Sequence, residues 1–227
     1  MVKFMSLEAV LLDFNSLIIN DETIRQKALE EIIIGENLLY DSSDYRRFCL
    51  GRSPRHGLTQ LLSNRGRILS DAYLAKLIER QSQIYLNHVN KLEDLEIYPN
   101  FQDFLELLQS HNLAIAIVTG ALVAEVNLVL EKTGLTPYIN LIISGELVQK
   151  SKPDAESHLL ACQKLGLTPN QCLAIETTFL GITAAKNAQI PVVGLANLYP
   201  VHILQRQANW VVDYLWELEL ERIMLKY

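Results

Sequence analysis

The sequence predicts an α/β protein with a doubly wound parallel sheet and an all-helical module inserted after the first strand. From about Asn100 onward, short apolar runs alternate with segments of helical apolar spacing, which is the pattern of βαβ units. Residues 20–96, by contrast, show helical spacing and no convincing strand. We therefore predict an α/β core formed by residues 1–19 and 97–227 and a helical cap formed by residues 20–96.

The predicted first strand, residues 9–17, is an apolar run typical of a strand buried on both faces of a sheet. It carries a single carboxylate, Asp13, just before the chain is expected to turn. Ligands bind at the carboxyl edge of open parallel sheets, so an ionisable side chain placed there is a candidate functional residue. The alternative is that Asp13 only stabilises the turn that follows the strand.

The other elements follow from apolar spacing and from turn residues. Asp21 to Thr23 offer N-cap residues for the first cap helix. Cap helices are predicted at residues 24–34, from Asp41 onward, at 57–63 and at 71–90. In the core, helices are predicted at residues 101–110, 123–133, 155–165, 181–188 and 201–207, and strands at 113–118, 138–144, 172–175, 191–195 and 210–212.

Length and composition indicate a folded chain. With 227 residues, 49% of them hydrophobic and 20% charged, the chain can bury one sizeable core and is not disordered. The cysteines lack CxxC spacing, which argues against a zinc site or a disulfide framework and for a reducing compartment; they are Cys49, Cys162 and Cys172. No apolar run reaches the roughly 18 residues of a membrane-spanning helix, and Glu8 and Asp13 interrupt any signal-peptide pattern. We expect a soluble, cytoplasmic protein.

The charge of the chain is unevenly distributed. A net charge of −6 argues against nucleic-acid binding by the whole molecule. Between Tyr45 and Ser70, however, the chain contains no Asp or Glu. The basic residues of this segment are Arg46, Arg47, Arg52, Arg55, His56, Arg65 and Arg67. They favour an anionic ligand or an acidic protein partner at the cap, although a solvated surface is the commoner outcome for such a run.

Four chain segments are expected to meet at the carboxyl edge of the sheet. The first strand brings Asp13, the second ends at Thr119 and Gly120, and the fourth ends at Glu176. A loop after the third strand brings Lys152. An acid that ends an apolar strand, such as Glu176, favours a functional role. Thr119 alone is more simply explained by a hydrogen bond within its own turn, and a lone lysine is usually solvated.

These residues also carry a resemblance to a family. The segment DFNSLIINDE at residues 13–22 resembles motif I of the haloacid dehalogenase superfamily, which in the phosphatase and phosphomutase branch runs DFDGVLVDSE. Thr119 resembles the Ser/Thr of motif II, Lys152-Pro153 resembles motif III, and Glu176 stands at the acidic motif IV. The resemblance extends over most of the chain and implies a helical cap inserted directly after motif I.

The resemblance implies catalytic roles for Asp13, Thr119 and Lys152, places Asn15 at the position of the catalytic acid–base residue, and implies substrate binding by Gly120. Asp13 would attack the phosphorus atom and form an aspartyl-phosphate. Thr119 and the backbone at Gly120 would hold a phosphoryl oxygen. Lys152 would neutralise the nucleophile and the phosphoryl group.

A cofactor and a substrate class are implied in the same way. Mg²⁺ would be held by Asp13, the carbonyl of Asn15 and Glu176, since oxygen ligands suit this cation. The substrate would be a small phosphorylated metabolite, and Arg52 or Arg55 of the cap would contact it.

The sequence departs from the family pattern at acids that the mechanism uses. Asn15 replaces the second Asp of motif I, Ser16 replaces the following Gly, and Thr177 replaces the second acid of motif IV. An amide cannot transfer a proton near neutral pH, and such transfer is worth about 10²–10⁴ in rate. Thr177 leaves a weaker Mg²⁺ site. We therefore predict a pseudo-phosphatase that serves as a binding or regulatory module. The alternative is an active phosphomonoesterase, or another hydrolase of the superfamily, that works through an intermediate on Asp13.

Overall fold

The computed structural model describes residues 6–226 and contains a six-stranded sheet in which all neighbouring strands are parallel. In chain order the strands are β1 (Ala9–Leu12), β2 (Ala114–Val118), β3 (Leu141–Ile143), β4 (Cys172–Glu176), β5 (Val192–Leu195) and β6 (Trp210–Val212). Their order across the sheet is β3-β2-β1-β4-β5-β6, so the direction of winding reverses between β1 and β4. The predicted doubly wound α/β class is confirmed.

The segment at residues 20–96 contains three α-helices: α1 (Glu22–Gly35), α2 (Pro54–Asn64) and α3 (Asp71–Lys91). The remaining helices are α4 (Phe101–Ser110), α5 (Val123–Thr133), α6 (Glu156–Leu165), α7 (Phe179–Asn187), α8 (Val201–Leu204) and α9 (Leu220–Met224). At least one helix lies between each two strands that are consecutive in the chain, which is the connection that parallel strands require.

Apolar side chains cover both faces of the sheet. Along β1, Val10 and Leu12 belong to the apolar cluster on one face, while Ala9 and Leu11 belong to the cluster on the other. The inserted helices build a third cluster, which includes Leu29, Ile33, Leu58, Leu61 and Leu77. These helices therefore pack around an apolar centre of their own.

We keep the boundaries between core and cap, at residues 19/20 and 96/97, as a proposal. Residues 1–5 and 227, which were assigned to the core, lie outside the described residues. Over the range 6–226, none of the helices is both long enough and apolar enough to cross a bilayer.

Local structure differs from the sequence expectation in a few places. β1 ends at Leu12 rather than at residue 17, because the chain turns at Ser16, whose φ of 59° lies in the left-handed region. β3 is shorter than the predicted strand at 138–144, since a 3₁₀ turn at Thr136–Tyr138 occupies its start. A π-helical turn at Tyr45–Cys49 takes the place of the α-helix expected after Asp41, and α9 was not predicted.

Candidate active site

Asp13, Lys152 and Glu176 form a buried cluster at the carboxyl edge of the sheet. Asp13 directly follows β1, Glu176 ends β4, and Lys152 lies in the loop before α6. The Lys152 Nζ atom lies 3.1 Å from Asp13 Oδ1 and 2.7 Å and 2.9 Å from the two carboxylate oxygens of Glu176. The structure thus brings together three of the residues that the sequence placed at this edge.

In this cluster the single ammonium group of Lys152 pairs with two carboxylates, those of Asp13 and Glu176. Burial and the charge of Glu176 raise the pKa of Asp13 to about 6, although Lys152 opposes the shift. Burial also raises the pKa of Glu176, and Lys152 again opposes it. Burial alone would lower the pKa of Lys152, but Asp13 and Glu176 outweigh it and raise that pKa. When both carboxylates are ionised, the single charge of Lys152 leaves the cluster with a net negative charge.

His158 is a site residue that the sequence analysis missed. Its Nε2 atom lies 3.0 Å from Glu176 Oε1, and the ring is completely buried on α6. Burial and the charge of Lys152 lower the pKa of His158 to about 3, so the neutral ring donates its Nε2–H to Glu176. A Cβ atom at Gly181 would lie 1.7 Å from Glu176 Oε2, so only glycine fits there. His158 and Gly181 therefore hold Glu176 in place from two sides.

The Thr177 hydroxyl binds oxygen atoms of two residues, Asp13 and Asn15, that would hold a cation. It lies 3.1 Å from Asp13 Oδ2 and 3.4 Å from the backbone oxygen of Asn15. The other oxygen of Asp13 accepts hydrogen bonds from Lys152 Nζ and, at 3.0 Å, from the backbone N–H of Phe14. Both oxygens of Asp13 are thus engaged by donors.

The side chain of Asn15 is directed to a second buried cluster, in the cap. Its Nδ2 donates to Asp21 at 2.9 Å, and Tyr85 donates its hydroxyl to the same carboxylate at 2.7 Å. Arg25 binds Asp21 through Nε at 2.8 Å and reaches Glu125 of α5 through Nη1 at 2.9 Å. The Arg25–Glu125 pair joins the inserted helices to the core.

Asp21 has a different role from the one expected. It precedes α1 as predicted, but its side chain makes no capping hydrogen bond. The carboxylate instead accepts from Asn15, Arg25 and Tyr85, which are groups on three segments of the chain. A capping role is a local one that sequence can suggest, whereas these partners are set by the fold.

Thr119 and Gly120 differ in what they contribute. The Thr119 hydroxyl accepts a hydrogen bond from the backbone N–H of Ala121 at 3.0 Å, which is the local turn contact considered above as the alternative. Gly120 permits a close approach of the cap, since a Cβ atom there would lie 2.7 Å from the backbone carbonyl of Arg52. The next residue, Ser53, donates its backbone N–H to Ser151 Oγ at 2.8 Å. The turn 51–53 of the cap therefore rests directly on the core.

The two arginines expected to contact a substrate lie in different places. Arg52 lines a cavity of about 50 Å³ together with Asp13 and Lys152. The Arg55 side chain is half exposed, lies 3.5 Å from Asp71, and is not among the residues that line this cavity. The structure thus brings Arg52 to the site but not Arg55.

The basic segment of the cap is partly neutralised within the chain. Arg65 pairs with Asp44 at 2.7 Å, and Arg46 lies 3.8 Å from Glu22. The contact of Arg55 with Asp71 is a third such pair. The surplus positive charge available to an outside partner is therefore smaller than the composition of the segment suggests.

The donor set does not fit a resident Mg²⁺ ion. Both oxygens of Glu176 lie within 3 Å of Lys152 Nζ, and the Thr177 hydroxyl engages Asp13 and the Asn15 carbonyl. Within residues 6–226, no group of three or more His, Cys, Asp or Glu side chains is arranged to hold a metal ion. Hard divalent cations need several free oxygen ligands, which this arrangement does not offer.

Replacing Asp13 by asparagine is expected to stabilise the protein at neutral pH. The pKa of Asp13 is about 6 in the folded chain against an ordinary 3.8, so the folded state binds this proton more tightly. The stability that protonation supplies is complete below about pH 4 and is lost as the pH rises through 6. A pKa difference of this size corresponds to at most about 3 kcal/mol of unfolding free energy. Asp13→Asn removes the free-energy cost of ionising a buried carboxylate at position 13, while Lys152 keeps Glu176 as its partner.

Urea unfolding at pH 4, 5.5 and 7.5 measures this effect. The gain of Asp13→Asn is expected at pH 7.5 and should vanish at pH 4. Asp71→Asn is the matched control, because the side chain of Asp71 is 96% exposed. A gain that is absent at pH 7.5, or equal at all three pH values, would contradict the expectation.

Comparison with known proteins places this site in a family context. Residues 10–195 match the model of a family described as haloacid dehalogenase-like hydrolase. Protein CbbY of Rhodobacter capsulatus is 26% identical over 194 residues, which are 83% of this chain and 85% of that protein. A phosphoglycolate phosphatase of Salmonella paratyphi A is 34% identical over 126 residues, but the match spans 56% of this chain and 48% of that enzyme.

The fold has a counterpart among solved structures. A beta-phosphoglucomutase from Clostridium difficile superposes with a TM-score of 0.85, and the match covers 97% of each chain. Sequence identity in this match is 23%, so the likeness shows the shared fold alone.

Proposed function

Because this chain belongs to the haloacid dehalogenase-like hydrolase family, in its phosphatase and phosphomutase branch, we propose that it is a pseudo-phosphatase. It binds a small phosphorylated metabolite beside Asp13 and releases phosphate from it slowly or not at all. Phosphatases of this family generally use Mg²⁺, whereas the donor set here does not fit a resident ion.

The single observation that carries the proposal is the position of the Thr177 hydroxyl. It lies 3.1 Å from Asp13 Oδ2, and the other oxygen of Asp13 accepts from Lys152 and Phe14. A carboxylate nucleophile attacks through a free lone pair, and the Thr177 hydroxyl occupies one on the Asp13 oxygen that Lys152 does not bind. The residue two positions on is an amide that is bound to Asp21. Attack and proton transfer are therefore both impaired.

Groups that can hold a phosphate ester remain. Lys152, Arg52 and the backbone at Gly120 line the cavity around Asp13. With a pKa of about 6, Asp13 becomes neutral just below physiological pH and can then donate a hydrogen bond to a phosphate oxygen. We expect the affinity for a phosphate ester to rise as the pH falls through 6, because the repulsion between two anions is removed.

Calorimetric titration with glycerol 3-phosphate at pH 5.5 and 7.5, paired with a phosphate-release assay, tests both parts of the proposal. Tighter binding at pH 5.5 is expected, with release no faster than in Asp13→Ala. If glycerol 3-phosphate binds at neither pH, the proposal that the protein binds a phosphate ester is wrong. Release well above the Asp13→Ala control would instead support the second candidate, a slow phosphomonoesterase, which the retained contact between Asp13 and Lys152 favours.

A further inference from the structure

Two unpaired polar atoms belong to side chains that line the cavity beside Asp13. Arg25 Nη2 and Gln81 Oε1 are both buried, and neither has a hydrogen-bond partner among the described residues. Both side chains line this cavity, Arg25 from α1 and Gln81 from α3. Buried polar groups in native proteins are nearly always paired, so an unpaired donor and an unpaired acceptor at one cavity indicate a bound group that takes both.

The guanidinium of Arg25 is held firmly by its other contacts. Nε binds Asp21 at 2.8 Å and Nη1 binds Glu125 at 2.9 Å. The Tyr85 ring lies against the guanidinium, with 4.2 Å between Arg25 Cζ and the ring centroid. Because the guanidinium is planar, these contacts fix the direction in which the remaining N–H groups point. Nη2 is therefore a preorganised donor.

The charges around Arg25 select the kind of group that it can bind. Two carboxylates, Asp21 and Glu125, already pair with the single positive charge of Arg25, and the formal charge of the three residues together is −1. A further carboxylate at this point would be repelled in a weakly solvated environment. A neutral hydroxyl can accept from Arg25 Nη2 and donate to Gln81 Oε1 at the same time.

We propose that Arg25 and Gln81 form a specificity subsite that binds a hydroxyl group of the ligand. This subsite rests on the proposed function, since the phosphate of the same ligand lies beside Asp13. The ligand class is thereby narrowed to short hydroxylated phosphate esters, and phosphate esters that carry a carboxylate are bound less well.

The affinity of the wild-type protein is measured for three probes of similar size: glycerol 3-phosphate, 2-phosphoglycolate and ethyl phosphate. They carry hydroxyls, a carboxylate and neither group, respectively. Titration at pH 5.5 is expected to show glycerol 3-phosphate bound about tenfold more tightly than ethyl phosphate, the effect of one or two net hydrogen bonds. The affinity for 2-phosphoglycolate is expected to be no higher than that for ethyl phosphate.

Gln81→Met tests the subsite directly, because methionine keeps the length of the side chain and removes its polar atoms. The preference for glycerol 3-phosphate over ethyl phosphate should disappear. The thermal stability of the free protein should stay the same or rise, since a buried unpaired oxygen is removed. Gln83→Met is the matched control, because Gln83 lies exposed on the same helix.

The outcomes separate this subsite from the proposed function. If ethyl phosphate binds and glycerol 3-phosphate binds no better, the cavity holds only water at Arg25 and Gln81, and the subsite is refuted while phosphate binding stands. Tighter binding of 2-phosphoglycolate than of glycerol 3-phosphate, or an unchanged preference in Gln81→Met, also refutes it. If none of the three probes binds, the proposed function fails and the subsite fails with it.

Discussion

Phosphate release that depends on Mg²⁺ is expected when the missing acids are restored together with one compensating change. The variant is Asn15→Asp with Thr177→Asp and Asp21→Asn. Asn15 donates to Asp21 at 2.9 Å, so an aspartate at position 15 alone would face a buried carboxylate. Asparagine at position 21 keeps this hydrogen bond with the roles of donor and acceptor exchanged. Restored proton transfer should raise the rate by about 10²–10⁴.

A phosphate-release assay with glycerol 3-phosphate, with and without Mg²⁺, measures the gain. Adding Asp13→Ala to the triple variant is expected to abolish it. Asn15→Asp alone is expected to be less stable than the wild type and to gain little activity, because two carboxylates then share one buried contact. A wild type that is already as fast as the triple variant would refute the proposal of impaired catalysis.

A loss of about 3–5 kcal/mol in the free energy of unfolding is expected when Arg25 is replaced by methionine. The carboxylates of Asp21 and Glu125, with side chains 0% and 3% exposed, would then lie buried without their shared cation. The contact with the Tyr85 ring is lost as well. Urea unfolding at pH 7 gives the change in free energy.

An exposed arginine and a double variant serve as controls for this measurement. Arg222→Met should cost less than about 1 kcal/mol, because Arg222 is 76% exposed and its ion pair among residues 6–226 is with the exposed Glu219. Adding Glu125→Gln to Arg25→Met should recover part of the loss, since one of the two uncompensated charges is removed. Equal costs for Arg25→Met and Arg222→Met would mean that the buried pairs contribute little to stability.

The sequence predicted the fold well because its signals are local and repeated. Apolar runs that alternate with helical spacing occur along the whole core, so an error of a few residues in one element leaves the fold class unchanged. The length of β1 was overestimated because four of the six residues 14–19 are apolar and buried, so the apolar pattern predicts a continuation of the strand. The polar pair Asn15 and Ser16 interrupts it, and Ser16 turns the backbone with a positive φ.

The site was predicted only in part, for a related reason. Asp13, Lys152 and Glu176 stand at strand ends, where the topology alone brings them together. His158 lies on a helix whose orientation towards Glu176 depends on packing. The pair of Arg25 and Glu125 joins residues that are 100 positions apart, and no local pattern indicates such a contact.

The packing of the cap turn 51–53 against Gly120 has a consequence for the rate of ligand binding. The backbone of Arg52 packs against Gly120, and Arg25 is bonded to Glu125, so any widening of the cavity by movement of the cap must break both contacts. We expect the buried ion pair to make such a movement infrequent. For a ligand whose entry requires it, the association rate levels off at high ligand concentration, at the rate at which the cap opens.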